Sequence, residues 1–373
     1  MTLAPPEGVG ASPKPLALKA LREPHPERHL VLRPTRLRAW QVGVGALFVA
    51  GCAFAGVLVG PYDLSPLEVF TAIAAKLGIA GAHSSPLATA VVWEIRLPRV
   101  ALGALVGAML SVAGAAYQGA FFNPLADPYL LGVASGAGLG ATVALVYFGA
   151  ASASVLSSVP VAAFLGAVTA VAATFALGRS RSGARSPTTL VLAGVAVAAF
   201  FTAIQTFIQQ QHFGSLQIVY DWLLGTLATA GWSQVGLVAP YIALAAGALY
   251  ACRRLLDALS VGDEEANSFG VRADRVRLAV VVAATFGTAA AVSVSGLIGF
   301  VGIIVPHTVR LLAGPSYRRI IPLSLLFGAG FLVLADLAAR TVLSPAELPL
   351  GVVTASLGAP FFLVVLRQAR RVQ

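Results

Sequence analysis

Apolar runs recur along the chain from Trp40 to Leu366, separated by short polar breaks. Many of them reach the roughly 20 residues that an α-helix needs to cross a bilayer. The pattern predicts ten spans, near residues 38–59, 98–119, 129–149, 156–177, 188–210, 232–252, 277–296, 298–313, 320–340 and 349–367. The eighth is short and carries Val305-Pro306-His307, so an irregular or tilted element is expected there. Segment 63–77, DLSPLEVFTAIAAKL, has the spacing of an amphipathic surface helix. Ser65 is placed to cap it, and Pro66 suits its first turn. A membrane β-barrel would show short alternating segments instead. The fold class is therefore an all-α polytopic membrane protein of about ten transmembrane helices.

Composition agrees with this reading. Of 373 residues, 58% are hydrophobic and only 11% charged, whereas a soluble domain carries roughly 25% charge. The first 36 residues are different: Pro-rich, polar and basic, without the apolar core of a cleavable signal. They read as a disordered basic cytoplasmic tail, with residues 37–373 forming one transmembrane domain.

The formal charge of +10 invites a nucleic-acid reading, but no basic stripe interleaves with aromatics, so nucleic acid is not an expected partner. The basic residues gather in alternate breaks, as orientation signals do. If the N-terminus is cytoplasmic, so is the C-terminus, and 21 of the 25 Lys and Arg lie inside. They include Arg179, Arg181 and Arg185, and the five from Arg253 to Arg277. Only Lys76, Arg96, Arg99 and Arg340 fall outside.

Candidate chemistry is sparse. Cys52 and Cys252 have neither disulfide-framework nor zinc-site spacing, and two methionines make no copper path. No metal site is expected. Lys14, Lys19 and Lys76 all lack a phosphate-loop context. Few ionisable groups lie deep in the spans, so a proton or ion relay has little to work with. Uphill transport would draw its energy from a partner. The stretch NPLADPYLLGVASGAGLGA, Asn123 to Ala141, places helix breakers between two apolar spans. Such backbone survives at membrane depth only when buried or lining a watery cavity.

Several motifs share one order. They are RLPR (Arg96–Arg99), YQGAFFNPLADPYLLGVASGAGLGA (Tyr117–Ala141), LAGVA (Leu192–Ala196), WLLGTL (Trp222–Leu227), LSVGDEEANSFGV (Leu259–Val271) and GLIGFVGIIVPHTVRLLAG (Gly296–Gly314). With these, the chain from about Trp40 to Arg370 resembles the FecCD/BtuC-like permease subunits of type II ABC importers, which take up iron-siderophores, haem or cobalamin. The resemblance implies a homodimer in the bacterial inner membrane, embedded in lipid, with the pathway between protomers. It also implies two ATP-binding subunits on the cytoplasmic side and a periplasmic substrate-binding protein. ATP and Mg would be bound by the partner ATPase, with no cofactor in this chain and no enzymatic activity of its own.

The resemblance also implies site residues at matching positions. Asn123 and Leu125 would project into the cytoplasmic gate, with Thr188 and Thr189 forming a second gate at the inner end of span five; a plain tight turn is the other reading of the first. Gln205 and Gln209 share a face of that span, as pathway-lining residues or as an interhelical hydrogen-bond pair. Arg96, Arg99 and Arg340 match the rim arginines that meet acidic residues of the binding protein. Locally, Arg96 could instead pair with Glu94, and Arg340 with Asp336 one turn away. The loop at about 256–276 would couple to the ATPase through Gly262, Asp263, Glu264, Glu265, Ala266 and Gly270. Its two glycines would break it into two short helices. His307 belongs to the family's Pro-His pattern and reads as structural. His212 lies near the outer mouth, where a lone histidine is more often incidental than a contact for haem.

The expected function is ATP-driven import of an iron chelate, haem or a ferric siderophore, by alternating access. Cobalamin is the alternative within the family. A stand-alone secondary transporter is the rival outside it.

Overall fold

A computed structural model describes residues 36–79, 84–148, 155–178 and 187–370. The expected N-terminal tail, except Arg36, and Arg179, Arg181 and Arg185 lie outside the described residues. The described residues form helices and turns: α1 (Ala39–Leu58), α2 (Pro66–Lys76), α3 (Pro86–Ala90), α4 (Leu97–Ala120), α5 (Val133–Tyr147), α6 (Val155–Leu177) and α7 (Pro187–Gln211). They continue as α8 (Leu216–Leu223), α9 (Trp232–Leu259), α10 (Asp263–Ser268), α11 (Ala273–Ser295), α12 (Val301–Ala313), α13 (Tyr317–Thr341) and α14 (Leu350–Arg370). Among the described residues, seven helices are long and apolar enough to cross a membrane. The shorter apolar helices α5, α12 and α14 fall where the remaining spans were expected.

Local signals in the sequence act as anticipated in α2. Ser65 Oγ accepts from the Glu68 N–H at 3.2 Å, and the Glu68 carboxylate accepts from the Ser65 N–H at 2.7 Å, a reciprocal capping box. The Ser65 N–H, and the Ser65 hydroxyl that donates to the same carboxylate at 2.8 Å, hold the Glu68 carboxyl below its ordinary range.

The core is built around α4, whose residues from Val106 to Ala120 are all buried. Helices α9, α11, α12 and α13 pack around it. Small residues allow this closeness, because apolar burial supplies little drive between helices in lipid and packing must do the work. A Cβ on Gly114 would collide with the backbone of Gly302, and one on Gly136 with the carbonyl of Gly166. Helices α1 and α7 are the least enclosed, with 22% and 17% of their apolar windows buried.

The eighth span differs from expectation. It is a regular helix, α12, that runs through Pro306. Proline cannot donate to the carbonyl four residues back, which is that of Gly302. Gln118 Nε2 donates to that carbonyl instead, at 3.1 Å, so the helix continues undisturbed.

The non-helical stretch after α8 pairs its backbone with the end of α11 and the start of α14. The Thr226 N–H donates to Ser295 O, the Leu350 N–H to Gly225 O and the Gly351 N–H to Leu224 O, each at 2.9 Å. Gly225 and Gly296 take left-handed φ values of 74° and 68° there, which glycine adopts without strain.

Candidate functional site

Two arginine networks mark opposite ends of the helix bundle. The first gathers at the start of α4 and the end of α13. Arg99 Nε lies 3.0 Å from both carboxylate oxygens of Asp336, and its Nη2 lies 2.9 Å from Oδ1. Its Nη1 and Nη2 also donate to the Glu347 carboxylate, each at 2.9 Å. One planar guanidinium therefore grips two carboxylates, a geometry that lysine cannot offer. Arg340 Nε makes an ion pair with Asp336 at 3.5 Å, and its Nη2 donates to Gly56 O. Arg96 Nη1 donates to Val57 O and Leu58 O at 2.9 and 2.7 Å, and its Nη2 donates to Tyr62 O. Gly56, Val57 and Leu58 form the last turn of α1, where carbonyls lack intrahelical partners and carry partial negative charge.

All three expected docking arginines are thus brought together, but they face inward. Arg96, Arg99 and Arg340 are 3%, 7% and 3% exposed. Their charge is taken up by α1 carbonyls and by Asp336 and Glu347, so this arrangement does not present them to a partner. Arg96 is bonded to carbonyls and not to Glu94; the local Arg340–Asp336 pair does form. Glu347, which sequence reasoning overlooked, is the half-exposed member of the network.

At the other end, the turn after α4 is held by its own polar residues. Asn123 Oδ1 accepts from the Leu125 N–H at 2.9 Å. Asp127 Oδ1 accepts from the Tyr129 N–H at 2.8 Å and caps a short 3₁₀ turn, Pro128–Leu131. Burial pushes the Asp127 carboxyl up to about 6, against the opposing pull of that N–H. The Tyr129 hydroxyl donates to Ile298 O and accepts from the Ile298 N–H, each at 3.1 Å. Asn123 is exposed and Leu125 half-buried. Thr188 and Thr189 are exposed at the start of α7, the helix whose Gly194 lies against Leu130 O.

Gln205 and Gln209 are buried, 8% and 7% exposed. Gln205 Oε1 faces Gly138 of α5. The pathway-lining assignment does not fit them, because their face of α7 packs inside the chain. The open face of α7 lies beside it, with Thr188 at one end and Thr202, Thr206 and Gln210 at the other. A helix shows in its sequence which residues share a face, but its neighbours decide which face is covered.

The charged loop also differs from expectation. Gly262 and Gly270 take positive φ values of 119° and 79° and flank a single short helix, α10. The expected second helix is the first turn of α11. Ala266 is fully buried, while Glu264, Glu265 and Gly270 are exposed. Phe269, 75% exposed, was not singled out from the sequence, although a solvent-facing aromatic beside acidic residues is a partner-anchor signal.

Arg277 was read only as an orientation charge. It is buried, and it contacts Asp263 at 2.7 Å, Asp274 at 3.4 Å and Ala120 O at 2.8 Å. Nearby, Asp257 accepts from the Tyr317 N–H and the Ser316 hydroxyl, tying the end of α9 to the start of α13. The His212 ring meets Ile208 O at 3.0 Å and Tyr147 edge-on. His307 stands edge-on to Phe361.

Comparison with known proteins agrees with this architecture. The model of the FecCD transport family matches residues 47–368. The uncharacterized ABC transporter permease protein YvrB of Bacillus subtilis is 40% identical over 344 residues, covering 91% of this chain and 96% of that one. The cobalamin import system permease protein BtuC of Halobacterium salinarum is 36% identical over 364 residues, covering 89% and 96%. A solved metal-chelate type ABC transporter in an inward-facing conformation superposes with a TM-score of 0.76 at 28% identity, covering 88% of this chain and 98% of its own. The chain belongs to the FecCD transport family, the membrane-spanning permease subunits of ABC importers, in which a separate subunit hydrolyses ATP.

Proposed function

We propose that this chain is the permease of an importer that moves an iron chelate, a ferric siderophore or haem, across a bacterial inner membrane by alternating access. The observation that carries the reading is α7. It leaves open a face of mixed, uncharged character, with Thr188, Leu192, Val195, Ala199, Thr202, Thr206 and Gln210 exposed along it. A second copy opposite that face would enclose a pathway with few charges, suited to cargo that another protein has already selected. Both termini would be cytoplasmic, and lipid would cover the remaining apolar surface. Asn123, Leu125, Thr188 and Thr189 would close the cytoplasmic end. Helix α10, with Glu264, Glu265 and Phe269 exposed, would meet the ATPase, which binds ATP and Mg. The binding protein would dock on the opposite rim, which the Arg96, Arg99 and Arg340 network holds in shape.

The similarity to a cobalamin import permease favours a second reading in which cobalamin is the cargo. Proteoliposomes carrying the chain with its ATPase and binding protein, offered haem, a ferric siderophore and cobalamin in parallel, decide between them. ATP-dependent uptake of an iron chelate is expected. Uptake of cobalamin alone would replace the first reading with the second, and uptake without the ATPase would overturn both.

A further inference from the structure

Arg277 lies where three elements meet, and its side chain is 4% exposed. Its Nη2 donates to both oxygens of Asp263, the first residue of α10, at 2.7 and 3.0 Å. Its Nε donates to the carbonyl of Ala120, the last residue of α4, at 2.8 Å. Its Nη1 contacts Asp274 in the first turn of α11. The guanidinium also lies over the ring of Phe122, at 5.7 Å. Phe122 has a φ of 52°, a left-handed conformation that a bulky residue keeps only when its surroundings impose it. Asn123 follows directly.

The chemistry explains why an arginine stands here. The Ala120 carbonyl is unpaired within its helix and carries part of the helix's negative end. A rigid fork reaches that carbonyl and a carboxylate in different directions at once, while an ammonium acts as a single point charge. The main-chain connections of α10 are softer. Gly262 and Gly270, both in glycine-favoured conformations, bound it on either side, and the seat of Ala266 is apolar and non-directional.

We propose that Arg277 is a positioning residue that ties α10 to the gate turn, so that displacement of α10 by the ATPase moves the end of α4 and the Phe122–Asn123 turn with it. This rests on the reading of the chain as an importer permease with α10 toward the ATPase. Arg277 touches no cargo and acts through Asp263 and Ala120.

The test measures cargo uptake and ATP hydrolysis in the same proteoliposomes, containing the complete transporter and its binding protein. Arg277→Gln removes both arms of the link. Asp263→Asn weakens the arm to α10 and leaves the Ala120 contact in place, which guards against a variant that fails to assemble. A coupling free energy of ordinary size corresponds to about tenfold, so cargo moved per ATP is expected to fall about tenfold in Arg277→Gln and by a smaller factor in Asp263→Asn, with hydrolysis falling far less in both. Arg277→Lys keeps the charge and loses the fork, and is expected to restore only part of the ratio. Uptake and hydrolysis falling in equal proportion would assign Arg277 to structure alone and overturn the proposal, as would an unchanged ratio. Absence of ATP-dependent uptake by the unaltered transporter would instead overturn the importer reading itself.

Discussion

The two ends of the bundle use the same residue type to different effect. At the Arg99 end, three arginines and the Asp336 carboxylate are enclosed among α1, α4 and α13, with Glu347 one-third exposed at the edge. At the Arg277 end, one arginine joins the end of α4 to α10, whose outer face stays open. The first network has a buried centre, Asp336, and ties long helices to one another. The second has a half-exposed carboxylate at its outer arm, Asp263, on a helix bounded by two glycines. Buried guanidinium groups are therefore not one functional class. Where the partners are helix ends and enclosed carboxylates, the network fixes a frame. Where one partner is a small, glycine-bounded element, it can carry displacement.

The largest expected effect breaks the frame. Asp336→Ala would leave Arg99 and Arg340 buried with one carboxylate fewer. Removing one partner of a buried ion pair costs about 3–5 kcal/mol, so sharply reduced yield and thermal stability in detergent are expected. Stability close to that of the unaltered chain would show that the network is not a frame. Gln118→Ala tests the other end, since it strips the Gly302 carbonyl beneath Pro306 of its donor. A buried group left unpaired costs about 1–3 kcal/mol, and faster amide exchange within α12 is the expected sign.

Glu347→Gln sharpens the contrast within the first network. Glu347 is one-third exposed and Arg99 keeps Asp336, so the loss should be about 1 kcal/mol or less; a loss as large as that of Asp336→Ala would contradict the ranking. The smallest effect concerns acidity. The folded-state pKa of Asp127 is raised to about 6, so ionisation opposes folding. That penalty is present above pH 6 and is relieved as pH falls through 6 toward the ordinary aspartate range. The turn at 123–132 should exchange more slowly at pH 5 than at pH 7.5, after correction for intrinsic rates. Asp127→Asn should remove the difference.

Much of the fold was legible in the sequence, because a bilayer demands long apolar runs and a helix demands caps. The positions of the apolar helices, seven of them among the described residues long enough to cross, and the Ser65 cap of α2 follow from those requirements. The azimuth of each helix was not legible. Gln205 and Gln209 share a face in any α-helix, but only α5 shows that their face is covered. The Arg340–Asp336 pair was legible at one turn's spacing, but the partners of Arg96 and Arg99 were not, because they are carbonyls at and after the end of α1 and carboxylates more than two hundred positions away. Pro306 predicted an irregular helix because its rescuer, Gln118, belongs to another span. Asn123 and Leu125 were legible as a turn, since Asx and proline chemistry is local. The meeting of Arg277 with Ala120 was not.

The central claim is that α7 of two copies encloses a pathway that opens alternately at its two ends. The direct measurement places spin labels at Thr188 and at Gln210, near opposite ends of α7, in the complete transporter. Inter-copy distances are then recorded in the nucleotide-free state and in the ATP-trapped state. Distances that change in opposite senses at the two positions are predicted. Distances that stay fixed, or that shift in the same sense at both ends, would contradict it.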